Sequence, residues 1–236
     1  MSVLRWSGCS NVRDLGGLPV EGGGAVRERV LVRADSLTQL DEDGIRALDD
    51  YGVVRIIDLR AEDETAALAH PYARHAVYRS VPWIDVGREL EHDPSVERGL
   101  ADLYRGSLDR NVRPVAAAVR AFLDAPEGPV VVHCAGGKDR TGMLVAVLLE
   151  TAGVTRDVVV ADYAVSATQL GIAEILATLS PEDRARAERY AWSHPETLTA
   201  ALEHLDTVYG GAAGYLRDAC GLTDAELDAV RRRLTG

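Results

Sequence analysis

Apolar positions along the 236 residues recur with two periods, and the switches between them set the expected elements. Short apolar runs at 29–33 (RVLVR), 53–59 (VVRIIDL), 76–83 (AVYRSVPW) and 130–133 (VVVH) predict strands. The last run is continuous rather than alternating, as suits a central strand covered on both faces. Apolar residues spaced three and four apart predict helices over 41–51, 112–123 and 140–152, with Gly52 and Gly153 as stops. A polar stretch between Asp85 and about Arg110 shows neither period and reads as a mobile connection. The final third, 157–236, patterns as helix throughout. Ser180-Pro181 is an N-cap with proline at the first helical position, and Thr223 with Glu226 forms a capping box.

Strands alternating with helices predict an α/β protein. Its central parallel or mixed sheet would be flanked by helices, with a helical C-terminal third packed on a core of residues 1–156. No internal repeat or low-complexity linker divides the chain, so 1–236 reads as a single domain.

Composition narrows the chemistry. With 26 basic against 37 acidic residues the net charge is −11, which argues against general nucleic-acid binding and against a polybasic membrane-surface role. Three widely spaced cysteines, Cys9, Cys134 and Cys220, suit a reducing compartment. The opening residues hold no apolar stretch of the signal-peptide kind, and no run approaches a membrane span, so a cytoplasmic location is expected. Every basic residue is arginine except one, Lys138.

That lysine lies in the most informative stretch, 130–141 (VVVHCAGGKDRT). An apolar strand delivers Cys134 into a loop of Ala135, Gly136, Gly137 and Lys138. Asp139, Arg140 and Thr141 then open a helix. Backbone N–H groups in such a loop converge on one point, and the helix dipole favours an anion there. The same field stabilises a thiolate, which makes Cys134 a candidate nucleophile at neutral pH. Arg140 offers a planar fork matched to two oxygens of a tetrahedral oxyanion. Together they predict attack on phosphorus through a cysteinyl-phosphate. Thr141 is placed to hydrogen-bond Cys134, and His133 to orient the loop through its ring N–H groups.

The motif HCAGGKDRTG resembles the phosphate-binding signature of the cysteine-dependent protein tyrosine phosphatase superfamily. With 11–17 (NVRDLGG), Asp58-Leu59-Arg60, Asp162-Tyr163 and 214–219 (GYLRDA), the chain resembles more narrowly the bacterial tyrosine/serine phosphatases whose loop carries Lys-Asp-Arg, a family with a secreted mycobacterial member. The resemblance spans nearly the whole chain. It implies a protein tyrosine phosphatase-like fold and hydrolysis of phosphate monoesters without metal or cofactor. By position it makes Cys134 the nucleophile, Arg140 the phosphate clamp, and Lys138 and Asp139 the loop pair tied to wide substrate range. Arg13 and Asp14, with Gly16-Gly17 behind them, read as a turn or, through the resemblance, as a brace of the loop, and Asp162 with Tyr163 as support from a following helix. Val12 stands where the family carries an aromatic, and the stretch before Val112 is shorter than the mycobacterial helical lid.

Three carboxylates compete as general acid: Asp85 just after a strand, Asp139 in the loop, and Asp58 at a strand's carboxyl end. Arg60 reads as a partner of the acidic run Glu62-Asp63-Glu64 or as a rim contact. His70 and His75 read as surface residues rather than metal ligands, and Trp83 as core or pocket wall. The expected substrate is a phosphorylated protein or, alternatively, a small phosphorylated metabolite such as a sugar, nucleoside or inositol phosphate. A rhodanese-like sulfurtransferase and an inactive phosphate-binding module are the rivals from other classes; the Cys-to-Arg spacing and the Arg-Thr pair favour phosphate over the first, and intact Cys134 and Arg140 argue against the second.

Overall fold

In the computed structural model, which describes residues 1–236, six strands form one mixed sheet in the order β1-β2-β3-β6-β4-β5. The parallel part comprises β3 (Leu31–Ala34), β4 (Arg55–Asp58), β5 (Tyr78–Ser80) and β6 (Val130–His133). Two-residue strands β1 (Ser2–Val3) and β2 (Arg13–Asp14) add an antiparallel edge. The runs 53–59 and 76–83 are therefore strands only at their centres, while 130–133 keeps its bounds and 29–33 shifts to Leu31–Ala34.

Alternation along the strands builds two cores. Val130, Val132 and Ile57 face the larger one, formed with α5 (Val112–Leu123), α6 (Asp139–Thr151), α7 (Arg156–Gln169), α10 (Pro195–Tyr209) and α12 (Asp224–Thr235). Val131, Ile56, Val32 and Ala34 face the smaller one beneath α1 (Glu42–Asp50). Val12 is packed in this second core, which accounts for an aliphatic residue there. With α6 hydrophobic on nearly all sides, its burial between sheet and C-terminal helices follows from composition.

The polar stretch after Asp85 is a correction. It holds α3 (Val86–Leu90) and α4 (Leu100–Arg110) rather than a mobile connection. Tyr104, Ser107 and Leu108 of α4 are buried at helical spacing, and the Trp83 indole N–H donates to Ser107 Oγ at 2.8 Å. Charged residues between these positions mask the period. α2 spans Glu62–Ala67. The remaining helices are α8 (Ile172–Ala177), α9 (Pro181–Ala191) and α11 (Ala212–Gly214), the last running into a π-helical turn at Tyr215–Ala219.

Register decides where chemistry can sit. Ala34, His133, Asp58 and Ser80 stand side by side at the carboxyl ends of the parallel strands. Loops leaving this edge converge, which is where open α/β sheets bind ligands.

Candidate active site

Cys134 leaves the carboxyl end of β6 and is buried to 2% exposure. The loop that follows turns back through Gly137, whose φ of 63° and close approach leave no room for a side chain. A Cβ there would stand 2.2 Å from the Ala34 carbonyl oxygen. α6 then starts at Asp139, so the helix N-terminus and the loop amides share one mouth.

Two buried arginines brace this loop from beneath. Asp162 of α7 accepts from Arg13 Nε and Arg33 Nη1, both at 2.6 Å. Arg33 Nη2 reaches the Gly137 carbonyl at 2.6 Å, while Arg13 Nη1 holds Asn11, whose amide donates to the Gly136 carbonyl at 3.0 Å. Burial works to raise the Asp162 pKa, but the two guanidinium charges hold it below the ordinary carboxylate value. Burial, then repulsion from Arg33, lowers Arg13 to about 10. Arg13 and Asp162 thus belong to one network that reaches the loop carbonyls, and Arg33, its third member, is the residue that sequence reading missed. Its only signal was a charge inside an apolar strand.

Arg140 is half-enclosed and meets Glu64, its Nη2 donating to Oε1 at 2.9 Å and its Nη1 to Oε2. Burial opposes its charge, yet the Glu64 bonds and the neighbouring Cys134 raise its pKa above the ordinary value. Glu64 also accepts from the Ala61 N–H at 2.8 Å, fixing the start of α2. The acidic run therefore serves Arg140 and not Arg60. Arg60 is 2% exposed and wrapped on Asp58, with Nη2 to Oδ2 at 2.8 Å, so neither a rim contact nor a pairing with that run is formed.

Asp58 is fully enclosed by Arg60 and by Tyr78, whose hydroxyl donates to Oδ2 at 2.9 Å. Such a carboxylate has no route to a leaving group. His133 is equally buried, with Nδ1 3.2 Å from the Cys134 carbonyl. A carbonyl only accepts, so Nδ1 carries the proton, and the loop-orienting contact expected of His133 is present. His70 is a correction, since it is 5% exposed and its ring lies 5.1 Å from that of His133. His70, His133 and Asp58 bring three donor atoms within 4.8 Å of one another. The Tyr72 N–H donates to His70 Nδ1 at 3.0 Å, however, placing the proton on Nε2, the nitrogen a metal would need. Burial, then the neighbouring His133, pushes His70 down to about 3.

Lys138 departs from expectation as well. Its ammonium turns from the loop centre to the Tyr190 carbonyl at 2.8 Å and to Asp139 at 2.9 Å. Asp139 also accepts from the Tyr104 hydroxyl at 2.6 Å, and Tyr104 meets Tyr163 at 2.9 Å. Thr141 Oγ1 is buried without a hydrogen-bond partner, so the expected bond to Cys134 is not formed. Asp85 caps α3 through the Arg88 N–H at 3.3 Å, and its own N–H donates to Asn111. Beside it a cavity of about 560 Å3 is walled by Ala61, Pro82, Ile84 and Val86, with Glu62 and Asp63 at its edge. Trp83, 1% exposed, belongs to the core rather than to this wall.

Comparison with known proteins decides the family. The model of the tyrosine phosphatase family matches residues 4–236. The chain belongs to the tyrosine phosphatase family. It is 30% identical, over the whole of both chains, to the triple specificity protein phosphatase PtpB of Mycobacterium tuberculosis. It is 28% identical to a tyrosine-protein phosphatase of Nostoc commune, over 84% of this chain and 70% of the relative. A putative tyrosine-protein phosphatase of Cupriavidus necator is 24% identical over 95% of this chain and 86% of its own. As a tyrosine phosphatase the protein is a phosphoric monoester hydrolase with the α/β fold expected of it. None of its helices is long and apolar enough to cross a membrane.

Proposed function

We propose that the protein, acting as one phosphatase unit over 1–236, dephosphorylates phosphotyrosine in proteins, with phosphoserine and phosphothreonine as further substrates. The observation that carries this reading is the buried Cys134 at the mouth of α6 with Arg140 six residues on. Loop amides from Ala135 to Arg140 would hold the equatorial phosphate oxygens, and the Arg140 fork two of them, with Glu64 keeping that fork in plane. The Cys134 thiolate forms the S–P bond as the ester P–O bond breaks. Water then attacks phosphorus, the P–S bond breaks, and phosphate leaves. Lys138 and Thr141 act through the loop backbone in this scheme rather than through side chains aimed at phosphate.

Asp85 is the general acid in this reading. It protonates the departing oxygen and later takes the proton of the attacking water. Asp58 is enclosed and Asp139 is held by Tyr104 and Lys138, while Asp85 is half-exposed beside the open cavity. The apolar wall of Ala61, Pro82, Ile84 and Val86 suits the face of a tyrosyl ring. The triple specificity in the name of the M. tuberculosis relative supports a range beyond tyrosine.

Acid-quenched turnover of a labelled phosphotyrosine peptide should trap label on Cys134, and Cys134→Ser should lose both label and turnover. Asp85→Asn should flatten the alkaline fall of kcat/KM for a poor leaving group and spare a good one. Higher kcat/KM for sugar or nucleoside monophosphates than for phosphopeptides would overturn the protein-substrate reading.

A further inference from the structure

The other end of the parallel sheet holds an arginine that forms no ion pair. Arg55 opens β4, paired in register with Val130, so its side chain leaves the sheet at the edge opposite the Cys134 loop. It is 8% exposed, and its Nε and Nη1 are fully buried without a hydrogen-bond partner. Two of the three guanidinium nitrogens are thus taken out of water with no bond in return, which is costly for a charged group. It borders a cavity of about 380 Å3 lined also by Arg79, Arg120, Asp124, Ala117 and Ala121.

The neighbours do not neutralise it. Arg79 donates Nη1 to the carbonyls of Ala76 and Tyr78, both neutral acceptors. Arg120 is paired with Glu226 at 2.8 Å and with the Gly221 carbonyl. Asp124 lines the cavity but forms no ion pair with Arg55. Burial, then repulsion from Arg79, lowers the Arg55 pKa from its ordinary value, and the charge of Asp124 offsets only part of that. The cavity thus presents two uncompensated guanidiniums, a third in reserve, and one carboxylate.

We propose that the Arg55–Arg79–Arg120 cavity is a second anion site, separate from the Cys134 loop, that binds the phosphate group of a small phosphorylated molecule. Planar guanidiniums suit phosphate oxygens bidentately. At about 380 Å3 the cavity lies in the range of small-molecule sites and exceeds many times the roughly 30 Å3 of a single water. Ala117 and Ala121 of α5 offer the apolar wall that an organic body would lie against. The phosphate reaches this site either free in solution or carried on an organic body, and the cavity size favours the second.

Two-dimensional NMR of the full chain, titrated with inorganic phosphate and separately with a non-hydrolysable sugar phosphonate, resolves the two sites residue by residue. The expected result is two sets of shifting amides with different half-saturation points, one over 134–141 and one at Arg55, Arg79 and Arg120. The phosphonate should saturate the distal set at lower concentration than inorganic phosphate does. Arg55→Met should weaken distal binding at least tenfold and leave the loop set and kcat/KM within twofold of wild type. Because Arg55 lacks a partner, Arg55→Met should also melt no lower than wild type in phosphate-free buffer, whereas a structural arginine would be missed. Arg79→Gln, at an exposed position, serves as the second variant and should weaken the distal set alone. Shifts confined to 134–141, or distal shifts that survive both substitutions, overturn the proposal. Loss of the loop set with retention of the distal set would instead count against the phosphatase mechanism.

Discussion

Arg13 and Arg33, at the carboxyl edge of the parallel strands, are as thoroughly buried as the leucines around them, and both close on the single carboxylate of Asp162. Arg55, a few residues away along the same sheet at the amino edge, is nearly as buried and forms no ion pair, Asp124 being the one carboxylate of its cavity. A charge inside a protein is tolerated when it is paired and hydrogen-bonded, and is expensive otherwise. The paired edge is therefore a finished support, and the unpaired edge is built for a charge that comes from elsewhere. Burial alone therefore does not mark function. What marks it is whether the fold itself supplies the partner.

The largest effect should come from unpicking the finished edge. Asp162→Asn leaves Arg13 and Arg33 facing each other without a counter-charge, and breaking one partner of a buried ion pair costs about 3–5 kcal/mol. Denaturant unfolding should show that loss, together with collapse of kcat as Gly136 and Gly137 lose their anchors. A loss below about 1 kcal/mol would mean that the two edges do not differ energetically. The contrast with Arg55→Met, which should not destabilise, is the sharper form of the comparison.

A smaller effect tests a third way of burying a titratable group, which is to keep it neutral. His70 has its folded pKa pushed down to about 3 from an ordinary value near 6.5. Above about pH 6.5 it is neutral in both states and nothing is lost. As pH falls from there toward 3, the unfolded chain takes up a proton that the folded one refuses, so stability declines across that window. Asp162 adds its own loss lower down, below the ordinary carboxylate value of about 3.9, as its depressed pKa is approached. His70→Gln should make the decline between pH 6.5 and 4 shallower, the rest of it belonging to His133, whose pKa burial also lowers, and leave the lower part unchanged. An equally steep decline in the variant would remove His70 from the account.

How far these arrangements could be read in the chain depends on their span. The strand 130–133 and the helix 112–123 emerge at their expected bounds because continuous apolar runs and a clean helical period leave no competing choice. The loop from Cys134 to Thr141 was legible for the same reason, since its residues are contiguous. Glu64 with Arg140, and Arg33 with Asp162, are 76 and 129 residues apart and meet only because the strand order places β4 and β3 on either side of β6. The hairpin of β1 and β2 escaped notice because two-residue strands carry no period, and α4 because charges break up its apolar face. His70 was misread because its burial follows from a turn before β5 that no local pattern announces.

The lone lysine gives the smallest effect and the most exacting one. Its ammonium holds the Tyr190 and Trp192 carbonyls, at 2.8 and 3.4 Å, and the Asp139 carboxylate, at 2.9 Å. Three acceptors around one point suit a tetrahedral donor and not a flat fork, whose longer reach would push either the end of α9 or Asp139 aside. Asp139 is also held by Tyr104, so the strain should fall on α9, which is exposed and carries few buried contacts. Lys138→Arg should therefore lower Tm by only a few degrees, the shift roughly 1 kcal/mol brings in a domain of this size. It should reduce kcat/KM severalfold through a displaced loop entrance, with KM changing more than kcat. Full activity with unchanged protection of the Tyr190 and Trp192 backbone amides in hydrogen exchange would show that Arg can serve here, and that the single lysine in the chain marks no special geometry.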